Sequence, residues 1–215
     1  MNHPIVFVFL ILFAGASASR ASWLEVQPGF YTDLDIGTAR LEGGAELRPE
    51  LSIYGFFDFY GQANSKFDLN TYYGEVRLMQ SLAFADDRLK AWNLTLEANG
   101  GTDFDRILRA GLVWNTSFGK GNTFALKLYP AASRDQDAHA SFYWAQELSP
   151  KLSVYAIFDY GFGDWIFGEE QIYVELESRY RVRERFSLFV QGRQFAAARG
   201  FRLDLSPVLG LKYTF

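Results

Sequence analysis

From residue 22 onward, apolar and polar residues alternate with a period of two along almost the whole chain. The alternating segments are about 9 to 12 residues long, the length that a tilted β-strand needs to cross a bilayer. Twelve segments can be marked, at residues 23–32, 38–48, 51–62, 70–82, 90–100, 106–117, 122–131, 138–148, 151–161, 170–181, 185–196 and 203–215. Little sequence remains for helices or a second domain. The pattern predicts an all-β fold of about twelve antiparallel strands.

The links between the segments distinguish a membrane barrel from a soluble sandwich, whose strands also alternate. Links after even-numbered segments are short and polar, at 48–50, 85–88, 119–122, 149–151 and 182–185. Links after odd-numbered segments are mostly longer, as at 63–69, 132–137 and 162–170. Short turns at one rim and long loops at the other are typical of transmembrane β-barrels. We therefore predict an antiparallel transmembrane β-barrel.

The N-terminus predicts secretion. Residues 5–15 form an apolar run that is too short to span a bilayer as a mature helix, and Ala16, Ser17 and Ala18 follow it. We interpret residues 1–18 as a signal peptide and residues 19–215 as a single barrel domain. Because the run is preceded by His3 but by no Lys or Arg, a short uncleaved anchor is the alternative.

The last segment is amphipathic and ends on an aromatic residue. Leu209, Leu211, Tyr213 and Phe215 share one face of the strand. This ending resembles the assembly signal of bacterial outer-membrane barrels, with Tyr213 and Phe215 as the aromatic pair. The resemblance implies a location in the bacterial outer membrane, with lipid and the barrel insertion machinery as partners. In size and strand number the chain is similar to the small twelve-stranded monomeric porins for acidic oligosaccharides and sialic acids.

If the apolar faces contact lipid, charged residues of both signs line the interior. The predicted pore-lining residues are Arg40, Glu42, Asp58, Glu75, Arg77, Glu97, Arg109, Lys127, Asp159, Glu175, Arg179 and Arg193. Dry burial of unpaired ions costs several kcal/mol each, so either water fills the lumen or the charges pair. Arginine forks suit carboxylates or phosphates of a solute, and they equally suit neighbouring glutamates.

Aromatic residues are abundant, and we assign them to two places. The tyrosines predicted inside are Tyr54, Tyr60, Tyr73, Tyr129, Tyr143, Tyr155 and Tyr173. They are either a sugar-stacking track or donors that fill space and bind charged neighbours. The residues predicted to form interfacial girdles on the outside are Trp23, Phe30, Trp114, Trp144 and Tyr213.

An internal echo joins two distant segments. Residues 46–59 read ELRPELSIYGFFDF and residues 147–160 read ELSPKLSVYAIFDY, an offset of 101 residues. In a twelve-stranded barrel the third and ninth strands lie on opposite walls. Duplication and a shared hairpin pattern both explain the similarity.

Other functions have weaker support. The net charge is −4 and no basic stripe is present, so no nucleic-acid partner is expected. The chain has no cysteine and, after the predicted signal peptide, only His139, so we predict no cofactor and no metal site, although calcium on Asp135 and Asp137 stays open. His139 and Ser141 form an H-x-S pattern that resembles outer-membrane phospholipases and lipid A deacylases. Phe142 replaces the asparagine of those families, and no catalytic residue is assigned.

The sequence therefore predicts a monomeric, narrow, passive channel for small hydrophilic solutes, anionic solutes included, and no enzyme. A closed structural or assembly barrel with a salt-bridged lumen is the first alternative. A lipid hydrolase that uses His139 and Ser141 is the second.

Overall fold

The chain closes into one β-barrel. The computed structural model describes residues 22–61, 68–69, 71–102, 106–119, 121–132, 138–162 and 170–215. The twelve strands are β1 Ser22–Tyr31, β2 Ile36–Arg48, β3 Leu51–Tyr60, β4 Thr71–Ser81, β5 Trp92–Gly101, β6 Ile107–Phe118, β7 Asn122–Ala132, β8 His139–Glu147, β9 Leu152–Gly161, β10 Gln171–Arg183, β11 Phe186–Ala197 and β12 Ser206–Thr214. Each strand pairs antiparallel with its sequence neighbours, and β1 pairs with β12.

The predicted fold class and strand number are confirmed. The predicted signal peptide and the loop acids Asp135 and Asp137 lie outside the described residues. The described part of the chain holds no helix with both the length and the apolar character needed to traverse a membrane.

The largest difference in a strand boundary is at β12, which begins at Ser206 instead of residue 203. The side chain of Gln194 explains the late start. Its Nε2 donates to the carbonyl oxygen of Arg202 at 2.7 Å, and its Oε1 accepts from the backbone N–H of Asp204 at 2.7 Å. The backbone polar groups before β12 are therefore satisfied by a side chain instead of by a strand ladder.

The sequence predicts a short turn at 85–88 between β4 and β5, and this prediction is wrong, because the link spans residues 82–91. It holds two short 3₁₀-helices, Leu82–Phe84 and Asp87–Leu89. Ser81 and Asp86 cap them, since their side-chain oxygens accept from the N–H groups of Ala83 and Arg88. The Arg88 guanidinium also donates to the Asp86 carboxylate, and the pKa of Asp86 therefore lies below its ordinary value.

The two faces of the sheet differ in polarity. Outward positions carry large apolar side chains that are exposed on the barrel surface: Leu78, Leu94, Leu96, Leu108, Leu112, Leu128, Phe142, Phe158, Leu176, Leu188, Val190, Leu209 and Leu211. Charged and hydroxyl groups point inward. This arrangement suits a barrel that contacts lipid on its outside.

Trp23 does not join the outer girdle as predicted. Its side chain lines the interior, with the ring centroid 6.2 Å from that of Tyr54. Gly44 makes room for the indole, because a Cβ there would lie 3.0 Å from Trp23 Nε1. Trp23 shares the inward parity of Glu25, which is the sequence signal that assigns it to the lumen. Phe30, Trp114, Trp144 and Tyr213 occupy the outward parity of their strands.

Candidate functional site

A cavity of about 850 Å³ occupies the interior of the barrel. Its walls include Thr71 and Gln171, the first residues of β4 and β10, at one end. At the other end they include Trp23 and Met79, close to the opposite rim. The cavity therefore extends along most of the strand length.

The structure places all twelve predicted pore-lining residues in the interior. Ten of them contact the cavity: Arg40, Glu42, Asp58, Glu75, Arg77, Arg109, Lys127, Asp159, Glu175 and Arg179. Glu97 and Arg193 are buried behind this layer and form ion pairs with residues that contact the cavity.

Four of these residues form a cross-lumen network, which we call the quartet: Arg40, Asp58, Glu175 and Arg193. Arg40 binds Asp58 through two bonds, Nε–Oδ1 at 2.7 Å and Nη2–Oδ2 at 2.8 Å. Its other edge binds Glu175, with Nη1–Oε1 at 3.1 Å and Nη2–Oε2 at 3.2 Å. Arg193 lies 3.2 Å from Glu175 and 3.6 Å from Asp58. Each arginine thus contacts both carboxylates.

The quartet connects parts of the wall that are not neighbours. Arg40 is on β2 and Glu175 is on β10, with β1, β12 and β11 between them along the barrel. The network therefore cuts across the lumen as a chord. Behind it the interior is packed with apolar groups, because Tyr31, Phe189 and Val208 form a buried cluster there.

Two glycines permit this packed sector. Gly29 on β1 and Gly210 on β12 are cross-strand partners with inward parity. A Cβ on Gly210 would lie 2.4 Å from both Phe189 Cζ and the carbonyl oxygen of Pro28. The Phe189 ring therefore occupies the space that a side chain at position 210 would need, and this sector of the interior is filled.

Glu97 is the centre of a second network, on β4 to β7. It is fully buried, and it pairs with Arg77 at 2.8 Å and with Arg109 at 3.0 Å. Tyr129 donates its hydroxyl to the same carboxylate at 2.6 Å. Arg77 also contacts Glu75 on its own strand. One carboxylate thus neutralises part of two arginine charges.

Further interior charges are also paired. Lys212 contacts Glu25, and Arg179 binds Glu177 at 2.8 Å. Glu42 accepts hydrogen bonds from Gln27 at 3.1 Å and from Tyr54 at 2.9 Å.

The interior tyrosines act largely as hydrogen-bond donors to carboxylates. Tyr155 donates to Glu175 at 2.7 Å, and Tyr173 donates to the same side chain. The described contacts therefore match the space-filling interpretation of these residues at least as well as a sugar-stacking track.

The interior also holds buried amide side chains that were not among the predicted pore-lining residues. Gln191 is buried and its Nε2 bridges Glu175 at 2.8 Å and Glu177 at 3.2 Å. Gln27 and Gln171 are also buried on inward positions. The sequence signal that identifies all three is their inward parity.

Three inward residues on adjacent strands take no part in the ion-pair networks described above. Lys127 on β7 is opposite Ser141 on β8, and Ser141 is opposite Asp159 on β9. Ser141 Oγ and Asp159 Oδ1 are buried and have no hydrogen-bond partner in the described part of the protein. Lys127 forms no ion pair with any described residue.

His139 and Ser141 do not form a nucleophile and base pair. Both line the cavity, on the side of the strand away from lipid. His139 stacks on Tyr129, with ring centroids 5.8 Å apart. Ser141 Oγ has no hydrogen-bond partner among the described residues, His139 included. Within the described ranges no cluster of three His, Cys, Asp or Glu side chains could hold a metal ion.

The echoed segments form β3 and β9, which face each other across the barrel. Tyr54 and Asp58 on β3, and Tyr155 and Asp159 on β9, all point inward. The partners of the two aspartates differ. Arg40 is the cross-strand neighbour of Asp58, whereas Ser141 is the cross-strand neighbour of Asp159.

Comparisons with known proteins identify similar proteins by structure alone. No protein-family model and no curated protein sequence matches the chain. A KdgM porin in complex with disordered oligogalacturonate superposes with a TM-score of 0.58 at 11% identity, over 90% of this chain and 99% of that chain. A NanC porin superposes with a TM-score of 0.60 at 9% identity, over 88% and 98%. The fold, the apolar outer surface and these neighbours agree with the predicted location in the bacterial outer membrane. The resemblance is confirmed at the level of the fold: this chain has the fold of the small twelve-stranded outer-membrane porins.

Proposed function

We propose that this protein is a monomeric passive channel of the bacterial outer membrane for small hydrophilic solutes, anionic solutes included. The observation that carries the proposal is the cavity of about 850 Å³ that runs along the barrel from Thr71 to Trp23 and whose walls include charged side chains of both signs. Barrels of eight strands are filled by side chains and those of sixteen hold a wide channel, so a narrow pore is what twelve strands accommodate. The KdgM porin neighbour forms a complex with oligogalacturonate, an acidic oligosaccharide, which adds support for anionic solutes.

The proposal extends to delivery and assembly. Residues 1–18 direct secretion and are removed, and residues 19–215 form the single barrel domain. Tyr213 and Phe215 end the last strand, where the insertion machinery reads them. Their rings are in edge contact, with centroids 4.8 Å apart. Lipid surrounds the apolar outer surface.

The paired interior charges predict weak ion selectivity. Six of the basic side chains that the structure places inside contact a carboxylate: Arg40, Arg77, Arg109, Arg179, Arg193 and Lys212. A wall of paired charges has a small net potential, so discrimination between ions has to come from the local geometry of the constriction.

The test is single-channel recording of the refolded protein in planar bilayers, with reversal potentials measured in salt gradients. Steady current steps with a reversal potential close to zero are the expected result. A folded barrel, recognised by its heat-modifiable migration, that gives no steps would overturn the proposal.

A closed structural barrel is the second candidate, and the quartet is the observation that favours it. Arg40 and Glu175 connect β2 with β10 and remove one sector from the lumen. If this chord closes the pore, the wild-type protein gives no current steps and a variant without Arg40 does.

No chemical step is included in the proposal. The hydrolase interpretation needs His139 to activate Ser141, and the two are not hydrogen-bonded. Ser141→Ala is therefore expected to leave any phospholipid or lipid A hydrolysis by the preparation unchanged. A loss of hydrolysis in this variant would revive the enzymatic interpretation.

A further inference from the structure

Lys127 and Asp159 are interior charges of opposite sign without an ion-pair partner among the described residues. Both line the cavity. The six other interior basic groups named above do form ion pairs. Unpaired charges inside a barrel are costly unless water or a ligand satisfies them. A solute in the cavity can therefore satisfy these two charges.

Ser141 lies between the two charges. It is the cross-strand neighbour of Lys127 on one side and of Asp159 on the other. Neighbouring strands are about 4.8 Å apart, so the Cα atoms of Lys127 and Asp159 are separated by roughly 10 Å. The small side chain of Ser141 leaves space between them, and its buried Oγ has no described partner. An ammonium group, a hydroxyl and a carboxylate thus follow one another across three adjacent strands.

The echoed half of the barrel indicates what this space can accept. On β3, Asp58 binds the guanidinium of Arg40 from the adjacent strand, with Oδ1 and Oδ2 at 2.7 and 2.8 Å. On β8 the residue opposite Asp159 is Ser141, and no described side chain takes the equivalent cationic position. The carboxylate has a cationic partner in one half of the barrel, whereas in the other half it lines the cavity without a described one.

The neighbouring Lys127 restricts which solute fits. A simple cation that approaches Asp159 is repelled by Lys127, and a simple anion that approaches Lys127 is repelled by Asp159. A solute with both an ammonium and a carboxylate satisfies both groups, and Ser141 can donate to or accept from it. Gln171 on β10 adds an amide whose nitrogen and oxygen both have no described partner.

We propose that Lys127, Ser141 and Asp159 form a subsite for small zwitterionic solutes that carry an ammonium and a carboxylate close together, as α-amino acids do. The proposal rests on the channel function proposed above and names its solute class. Lys127 binds the carboxylate, Asp159 binds the ammonium, and Ser141 contacts the solute between them. Because a channel must release what it binds, the affinity is weak and saturable.

The test measures uptake of three labelled solutes of similar size into proteoliposomes: L-serine as the zwitterion, lactate as the anion and glycerol as the neutral solute. We expect L-serine uptake to saturate and to exceed lactate uptake. Lys127→Gln and Asp159→Asn each lower L-serine uptake at low concentration by about tenfold, the effect of one charge-assisted hydrogen bond. Glycerol uptake in excess of that of protein-free liposomes stays unchanged in both variants, which also shows that they fold into open barrels.

Matched controls remove the same charges outside the lumen. Lys151→Gln and Asp87→Asn change exposed residues of the short links, and we expect wild-type uptake of all three solutes. A second measurement needs no variant: L-serine, but not lactate, reduces the single-channel ion current with a saturating dependence on concentration.

The outcomes separate the two proposals. If glycerol is taken up and L-serine uptake neither saturates nor responds to Asp159→Asn, the zwitterion subsite is overturned and the channel stands. If none of the three solutes reaches the interior of liposomes that contain folded barrel, the channel itself is overturned, and the subsite with it.

Discussion

Arg40 on β2 holds Glu175 on β10 across the lumen, although 135 residues separate them in the sequence. The bond spans three intervening strands. It narrows the cavity by contacts between side chains of the barrel wall itself. Replacement of single residues can therefore test how far this chord sets the conductance.

Arg40→Gln is expected to increase the single-channel conductance. The substitution removes the connection to Glu175 and leaves Arg193 as the remaining quartet cation, at 3.6 Å from Asp58. It also removes one interior positive charge, so the reversal potential should shift toward cation preference. Arg88→Gln removes the same charge from an exposed link and serves as the control. Equal conductance in the wild type and Arg40→Gln would contradict the assigned constriction.

Glu97→Gln is expected to destabilise the barrel. The carboxylate is fully buried and serves Arg77, Arg109 and Tyr129. Loss of one partner from a buried ion pair typically lowers the free energy of unfolding by about 3–5 kcal/mol. Because water in the lumen can solvate the arginines left without a partner, this range is an upper limit. The measurement is the urea concentration at which the heat-modifiable form is lost. Glu147→Gln at an exposed strand end is the matched control, and equal midpoints for the two variants would refute the central role of Glu97.

Gly210→Ala is expected to impair folding more than Gly29→Ala does. A methyl group at position 210 meets the Phe189 ring and the Pro28 carbonyl oxygen, each at 2.4 Å. At position 29 the nearest atom is Val208 Cγ1, at 3.0 Å. Overpacking of this kind typically lowers the free energy of unfolding by about 1–3 kcal/mol. Because the Pro28 carbonyl oxygen belongs to the backbone and cannot rotate away, we expect Gly210→Ala to lie at the upper end of this range.

A second substitution separates the effect of the Phe189 ring from that of the backbone. Phe189→Ala in the Gly210→Ala background removes the ring but leaves the Pro28 carbonyl oxygen, so we expect partial recovery of the folded yield. Refolding yield and the urea midpoint are the readouts. Full recovery would show that the ring alone requires the glycine.

The Asp86 carboxyl should titrate below its ordinary range, because Arg88 donates to it from the guanidinium and from the backbone N–H, and its pKa is lowered. The ion pair therefore favours the folded link above the ordinary carboxyl pKa, and this preference is lost as the pH falls through the lowered pKa. Arg88→Ala removes the side-chain bonds, so the pKa of Asp86 rises while the backbone bond remains. Carboxyl NMR titration in nanodiscs measures both values, and an unchanged pKa in Arg88→Ala would exclude the ion pair as the cause.

The strands and their inward faces could be predicted from the sequence because a barrel in lipid enforces strict alternation. Glu97 and Arg109 were assigned inward by parity alone. Their partners could not be predicted, since parity does not specify which side chains meet inside the lumen. Trp23 lies inside although aromatic residues near strand ends are typical of the outer girdle, and its parity with Glu25 is the signal that indicates the lumen. The 3₁₀-helices after β4 depend on local capping by Ser81 and Asp86, which a period-two pattern does not detect.

The position of the quartet determines the order in which its ion pairs can form as the barrel closes. Asp58 follows Arg40 within a single hairpin, so this pair can form early. Glu175 and Arg193 belong to the last three strands, and they reach the β2–β3 hairpin only when β12 pairs with β1. The pairing of β1 with β12 is therefore also the event that completes the quartet. A partly built sheet retains charge that lipid does not tolerate, which favours the fully closed ring over every open intermediate.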